Sequence, residues 1–122
     1  MTLNEISKIS HENVKKRQAN GGNVKTDTRS MLKHCATEVV EATEAYYLQT
    51  YESLTDAKEH LETDEYAQQV YYEDKAHFAS ELADIICCCT IIAEEEGINL
   101  DKAVADCLEK NRKRAEGTGD KL

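Results

Sequence analysis

Apolar residues recur along this chain at three- and four-residue steps, and no stretch alternates strictly as a strand would. Leu3, Ile6, Ile9 and Val14 form a thin stripe. Thr2 precedes it, with Glu5 at capping-box spacing, so a first helix opens there. The helix ends before Asn20-Gly21-Gly22-Asn23, a turn signal. A second stripe of Met31, Leu32, Cys35, Val39, Ala42 and Tyr46 predicts a helix from Thr26 or Asp27. It is expected to run to about Glu62, with Ser53 to Asp56 as its weakest point. Thr63-Asp64-Glu65 reads as the next start, a capping threonine followed by acids in a first turn. The third helix then spans about Asp64 to Glu96 and is closed by Gly97. Asn99 or Asp101 opens a fourth through Leu100, Val104, Cys107 and Leu108, ending near Ala115. The expected fold is all-α, a four-to-five-helix bundle. Residues 1–116 form its single domain, and 117–122 form a flexible tail.

Composition agrees. The 122 residues include no proline and only five glycines, so the main helix breakers are scarce. The chain carries 24 acidic against 15 basic residues, a net charge of −9. That balance argues against nucleic acid as a partner and suits a divalent cation bridging acids to a phosphorylated ligand. The five cysteines are odd in number and lack paired Cys-x-x-Cys spacing. They read as reduced, buried thiols, and Cys87-Cys88-Cys89 as core packing. The longest apolar run, Leu82 to Ala93, is too short to span a bilayer, and Met1 to Ser10 has no signal-peptide core. A soluble, cytoplasmic protein is expected.

The acids carry the chemistry. The run Leu82 to Ala93 is apolar nearly all round, which predicts burial on most faces. Asp84 sits inside it, with Glu81 one turn earlier on the same side. A buried carboxylate needs a positive partner, and this helix offers Asp84 no basic residue at i±3 or i±4. Glu38 and Glu41 form a similar pair among Cys35, Ala36, Val39, Val40 and Ala42, and Glu44 extends it by a turn. The two pairs are symmetric about a point near Thr63. A long antiparallel hairpin turning there sets them side by side, with arms of about 20 residues or 30 Å. Converging carboxylates repel unless a cation joins them, and oxygen ligands select Mg²⁺, Mn²⁺ or Ca²⁺ over zinc.

Glu38-x-x-Glu41 and Glu81-Leu-Ala-Asp84, then Gly97-Ile98-Asn99-Leu100 and Lys110-Asn111-Arg112-Lys113-Arg114, resemble the all-α NTP pyrophosphohydrolase superfamily. That group includes MazG proteins, dimeric dUTPases and dCTP pyrophosphatases. The resemblance covers about Leu32 to Arg114 and implies a MazG-like fold. It also implies cleavage between the α and β phosphorus atoms, giving a nucleoside monophosphate and pyrophosphate as part of nucleotide-pool house-cleaning. Mg²⁺, with Mn²⁺ as substitute, would be held by Glu38, Glu41, Glu81 and Asp84. Glu38, Glu41 or Glu44 would hold or deprotonate the attacking water. Lys110, Asn111, Lys113 and Arg114 match the substrate-binding end of the fourth helix. Phosphoribosyl-ATP is the alternative substrate. If the acids are only structural, the chain is a non-catalytic helical interaction module.

His34 and His77 each stand four residues before a glutamate of the set, on the same helix face. No Glu-x-x-His motif of a di-iron bundle occurs. All six tyrosines fall between the acidic pairs and are expected in the core or an interface. The thin first stripe and the apolar third helix leave surface for a second copy, so a homo-oligomer is expected.

Overall fold

The structure is a computed structural model, described for residues 1–63 and 74–117. Within those residues it has five helices and no strand. They are α1 (Leu3–Ala19), α2 (Thr28–Tyr47), α3 (Leu54–Glu62), α4 (Lys75–Glu95) and α5 (Leu100–Ala115). The chain gathers into two compact units, Met1–Thr26 with Thr90–Leu122, and Asp27–Cys89.

In the first unit α1 packs on α5. Thr2 and Glu5 form the expected capping box, and Asn99 caps α5 by accepting from the Lys102 amide. The two helix starts also cap each other. The Asp101 carboxylate accepts from the amides of Leu3 (2.9 Å) and Asn4 (3.3 Å). Asn4 Oδ1 accepts from those of Leu100 (2.9 Å) and Asp101 (3.3 Å). Each side chain thus satisfies amides that a helix start leaves without partners. The buried face of α1 is Ser7 and Val14, while Ile9 is exposed. Ser10 receives a 3.4 Å hydrogen bond from the fully buried Thr90. The last turn of α4 closes on Gly97, whose φ of 64° is open to glycine at little cost. The Ile98 amide reaches back to the Ala93 carbonyl and the Gly97 amide to that of Glu94, the paired bonds of a Schellman ending.

In the second unit α2 is shorter than the apolar pattern predicts. It ends at Tyr47, and Leu48 takes a left-handed φ of 53°. The chain then loops to Ser53, whose hydroxyl caps α3 by accepting from the Asp56 amide. Tertiary packing forces this break. Tyr51 is drawn into a core with Tyr47 and Ala57, and its amide donates to Glu44 Oε2 at 2.9 Å. Thr63 closes α3 instead of opening the next helix, its hydroxyl donating to the Glu59 carbonyl. The helix bearing Glu81 and Asp84 starts at Lys75. Asp74 caps it, accepting from the amides of Ala76 and His77. The start expected at Asp64, together with Tyr66, Tyr71, Tyr72 and residues 118–122, lies outside the described residues.

Helix α4 departs from the expected burial on most faces. Cys88, Thr90, Ile91 and Ala93 are buried, yet Leu82, Ala83, Asp84, Ile86, Cys87 and Cys89 are exposed. One chain of this length has too few helices to surround an element that is apolar all round. The cysteine expectation fails for the same reason: only Cys88 is buried, Cys35 is half-buried and the other three are exposed. At 21 residues, α4 outruns the apolar segment within it. By length and composition alone it could cross a membrane.

Candidate metal centre

The second unit contains all four acids of the two pairs. Glu38 and Glu41 project from one face of α2 because they are three residues apart. Helix α4 runs against this face in the antiparallel sense. Cys35 contacts Cys89, and the Tyr46 ring lies 5.3 Å from that of Phe78. Both pairs are centred on the same point of the sequence, one residue from Thr63. The hairpin register expected from the acids therefore holds even though α3 interrupts the connection.

This register brings one carboxylate oxygen from each of Glu38, Glu41 and Glu81 within 4.8 Å of one another. Glu38 is buried at 7% exposure, Glu81 is half-buried and Glu41 is exposed. Asp84 is exposed and stands outside the converging group. It still belongs to the same field, because its charge helps raise the Glu38 pKa. Among the described residues no lysine or arginine pairs with any of the four. Two unit charges 4.8 Å apart repel by about 3.5 kcal/mol at an effective dielectric of about 20. Glu38 answers with a raised proton affinity. Burial first, and then Glu41, Asp84 and Glu81, push its pKa up to about 7.

The residues fit a hard cation. Glu38 Oε2 and Glu81 Oε2 are buried and have no hydrogen-bond partner. A buried carboxylate oxygen without a partner costs about 1–3 kcal/mol or more. Two such atoms on facing helices, both in the converging acid group, mark a place where a positive ligand belongs. The donors are oxygens only, which suits Mg²⁺, Mn²⁺ or Ca²⁺. The nearby thiols do not compete. Burial pushes Cys88 up to about 12 and raises Cys35 as well, so neither is a thiolate at neutral pH.

Beside the acids is an open cleft of about 440 Å³, lined on α2 by Lys33, Thr37, Glu41 and Glu44 and on the following loop by Tyr51 and Ser53. Glu44 is the brace of that wall, since its Oε2 holds the Tyr51 amide. Lys33 is the one cation among the lining residues. Sequence reasoning passed it over, although residues 33, 37, 41 and 44 share one helical stripe and could have exposed it. A second, apolar cavity of about 410 Å³ lies between Val39, Ala42, Tyr46, Phe78, Leu82 and Ile85.

The expected phosphate-binding cluster of α5 belongs to the other unit. Lys110, Asn111 and Lys113 are exposed, and Arg114 is half-buried with its Nε buried and unpartnered. Asn111 Nδ2 reaches Cys107 Sγ at 3.8 Å. Arg112 is already committed, with Glu109 and Glu116 each within 2.7 Å.

A family model described as the MazG nucleotide pyrophosphohydrolase domain matches residues 26–118. No curated protein and no solved structure matches the chain.

Proposed function

The chain belongs to the MazG nucleotide pyrophosphohydrolase domain family, and on that premise we propose that it is a Mg²⁺-dependent enzyme splitting nucleoside triphosphates into monophosphate and pyrophosphate. Mn²⁺ would serve as substitute. One observation supports this most: the buried, unpartnered Oε2 atoms of Glu38 and Glu81 in a group of three converging carboxylates. Glu38, Glu41 and Glu81 would hold the cation, with Asp84, one turn further along α4, as the fourth acid of the set. The cation supplies charge neutralisation at the phosphate oxygens and a more acidic water.

The rest falls to the chain's own side chains. Glu44 spends Oε2 on the Tyr51 amide and keeps Oε1 to hold the attacking water. Glu41, exposed on the same stripe, accepts that water's proton at its carboxylate. Lys33 opposes the negative charge that builds on the leaving pyrophosphate. Lys110, Asn111, Lys113 and Arg114 provide further substrate contacts. Arg112 does not, because its donors are occupied by Glu109 and Glu116.

The enzyme works as a homo-oligomer in the cytoplasm, clearing unwanted nucleotides. The oligomer reading draws on Ile86 at 52% and Leu108 at 64% exposure, large apolar side chains that a second copy would cover. The test is a panel of ribo- and deoxyribonucleoside triphosphates plus phosphoribosyl-ATP, with Mg²⁺ or Mn²⁺, scored for pyrophosphate against orthophosphate. Pyrophosphate release that vanishes on chelation is expected. No turnover across the panel, or orthophosphate as the product, overturns the reading.

A further inference from the structure

We propose that His34 is a positioning residue of the metal centre, and that His77 repeats its role more loosely on the facing helix. This rests on the metal reading above and goes beyond it, since neither histidine is a ligand in that reading. His34 stands one turn before Glu38 on α2, and His77 one turn before Glu81 on α4. His34 Nε2 lies 2.9 Å from Glu38 Oε1, and His77 Nε2 lies 3.7 Å from Glu81 Oε1. In both pairs the other oxygen, Oε2, is buried and has no partner. In each pair a ring nitrogen faces a carboxylate oxygen as an i,i+4 ion pair. Each imidazole therefore stands against one oxygen from the solvent side, His34 closely and His77 more loosely, and leaves its twin for the cation.

The histidine side chains are 54% and 59% exposed, while their glutamates are 9% and 15% exposed. The rings are not there to fill a core. Glu41 and Asp84, the two exposed acids of the set, have no such partner among the described residues. Support is thus given to the two acids whose oxygens are hidden, where a wrong rotamer would leave a carboxylate buried away from both water and metal. Groups hydrogen-bonded to metal ligands fix ligand orientation, and their loss typically weakens metal affinity 10- to 100-fold. The alternative is an ordinary i,i+4 surface pair without effect on metal binding. The difference between 2.9 and 3.7 Å ranks the two, since only the first is within hydrogen-bond reach.

The probe is Mn²⁺ alone, with free ion counted by electron paramagnetic resonance and no nucleotide present. His34→Ala should raise the Mn²⁺ dissociation constant about tenfold. His34→Gln, which keeps an N–H donor at similar reach, should return it to within about threefold of wild type. His77→Ala should raise it by about threefold. Melting temperatures without metal should stay within about 2 °C of wild type for all three. A His34→Ala chain that binds Mn²⁺ as tightly as wild type overturns the positioning role and leaves the metal centre standing. So does a Gln variant as weak as the Ala variant. A wild-type chain that binds no Mn²⁺ overturns the metal centre itself, and this role with it.

Discussion

On α2 a carboxylate oxygen of Glu41 lies within 4.8 Å of one of Glu38, and its charge adds to burial in raising the proton affinity of Glu38. Glu38 is the buried partner, and its pKa rises from the usual carboxylate value of 4.5 to about 7. A raised folded-state pKa means that the folded chain binds more protons than the unfolded one. The stabilisation is full below pH 4.5 and is lost as pH rises through about 7. Its size is on the order of 3 kcal/mol. Glu95 and Glu109 are shifted the other way, by their hydrogen bonds to His11 and Arg112. Their contribution is lost only below the usual carboxylate range, outside this window. In chelator, the melting temperature should therefore be higher at about pH 5.5 than at about pH 8, by roughly 5 °C or more. Glu38→Gln should flatten this slope and raise the metal-free melting temperature at pH 8 while weakening Mn²⁺ binding. A slope unchanged in Glu38→Gln would refute the assignment.

Asn4 and Asp101 cap each other's helix through four backbone amides. Asp101→Ala should destabilise the chain by about 2 kcal/mol and Asn4→Ala by about 1 kcal/mol. In urea denaturation the double variant should cost less than the sum, by roughly 1 kcal/mol, because each loss already loosens the other contact. Strict additivity would show that the two caps act separately.

Lys33 is the one cation lining the cleft beside Glu41 and Glu44. Lys33→Ala should lower kcat/KM for a triphosphate by about 30-fold, with Lys33→Arg retaining most of the activity. Mn²⁺ affinity in the absence of nucleotide should stay within about twofold of wild type. Equal loss in the Ala and Arg variants would argue that Lys33 shapes the cleft without meeting phosphate.

Ile86 lies on the exposed apolar side of α4 at 52% exposure. Ile86→Glu should convert an oligomer to single chains by light scattering at micromolar concentration, because a charge there cannot be buried against a second copy without a partner. A wild-type chain that already scatters as a monomer would end the oligomer proposal.

Several features were readable because they are local. Thr2, Asn99 and Gly97 end helices through bonds that span three to five residues, and a side chain's type suffices to announce such a bond. The break after Tyr47 was not readable in this way. Leu48 is no helix breaker, and its left-handed backbone follows from Tyr51 entering the core and from Glu44 holding the Tyr51 amide. Thr63 misled because a threonine can close a helix through its own hydroxyl as readily as it can open one.

By itself, then, the sequence determined the all-α class, most of the helix ends and the two acidic pairs with their antiparallel register, since all of these follow from spacing along a helix. Only the tertiary structure decided how the acids divide. Asp84, the most constrained in sequence because its helix is apolar on every side, is exposed, whereas Glu38 is the buried carboxylate whose pKa is pushed to about 7. It also set His34 against Glu38 at 2.9 Å and left one side of α4 uncovered. Burial and the field at a carboxylate depend on side chains some forty residues away in sequence, as Glu81 is from Glu38, and helical periodicity carries no record of which of them arrive.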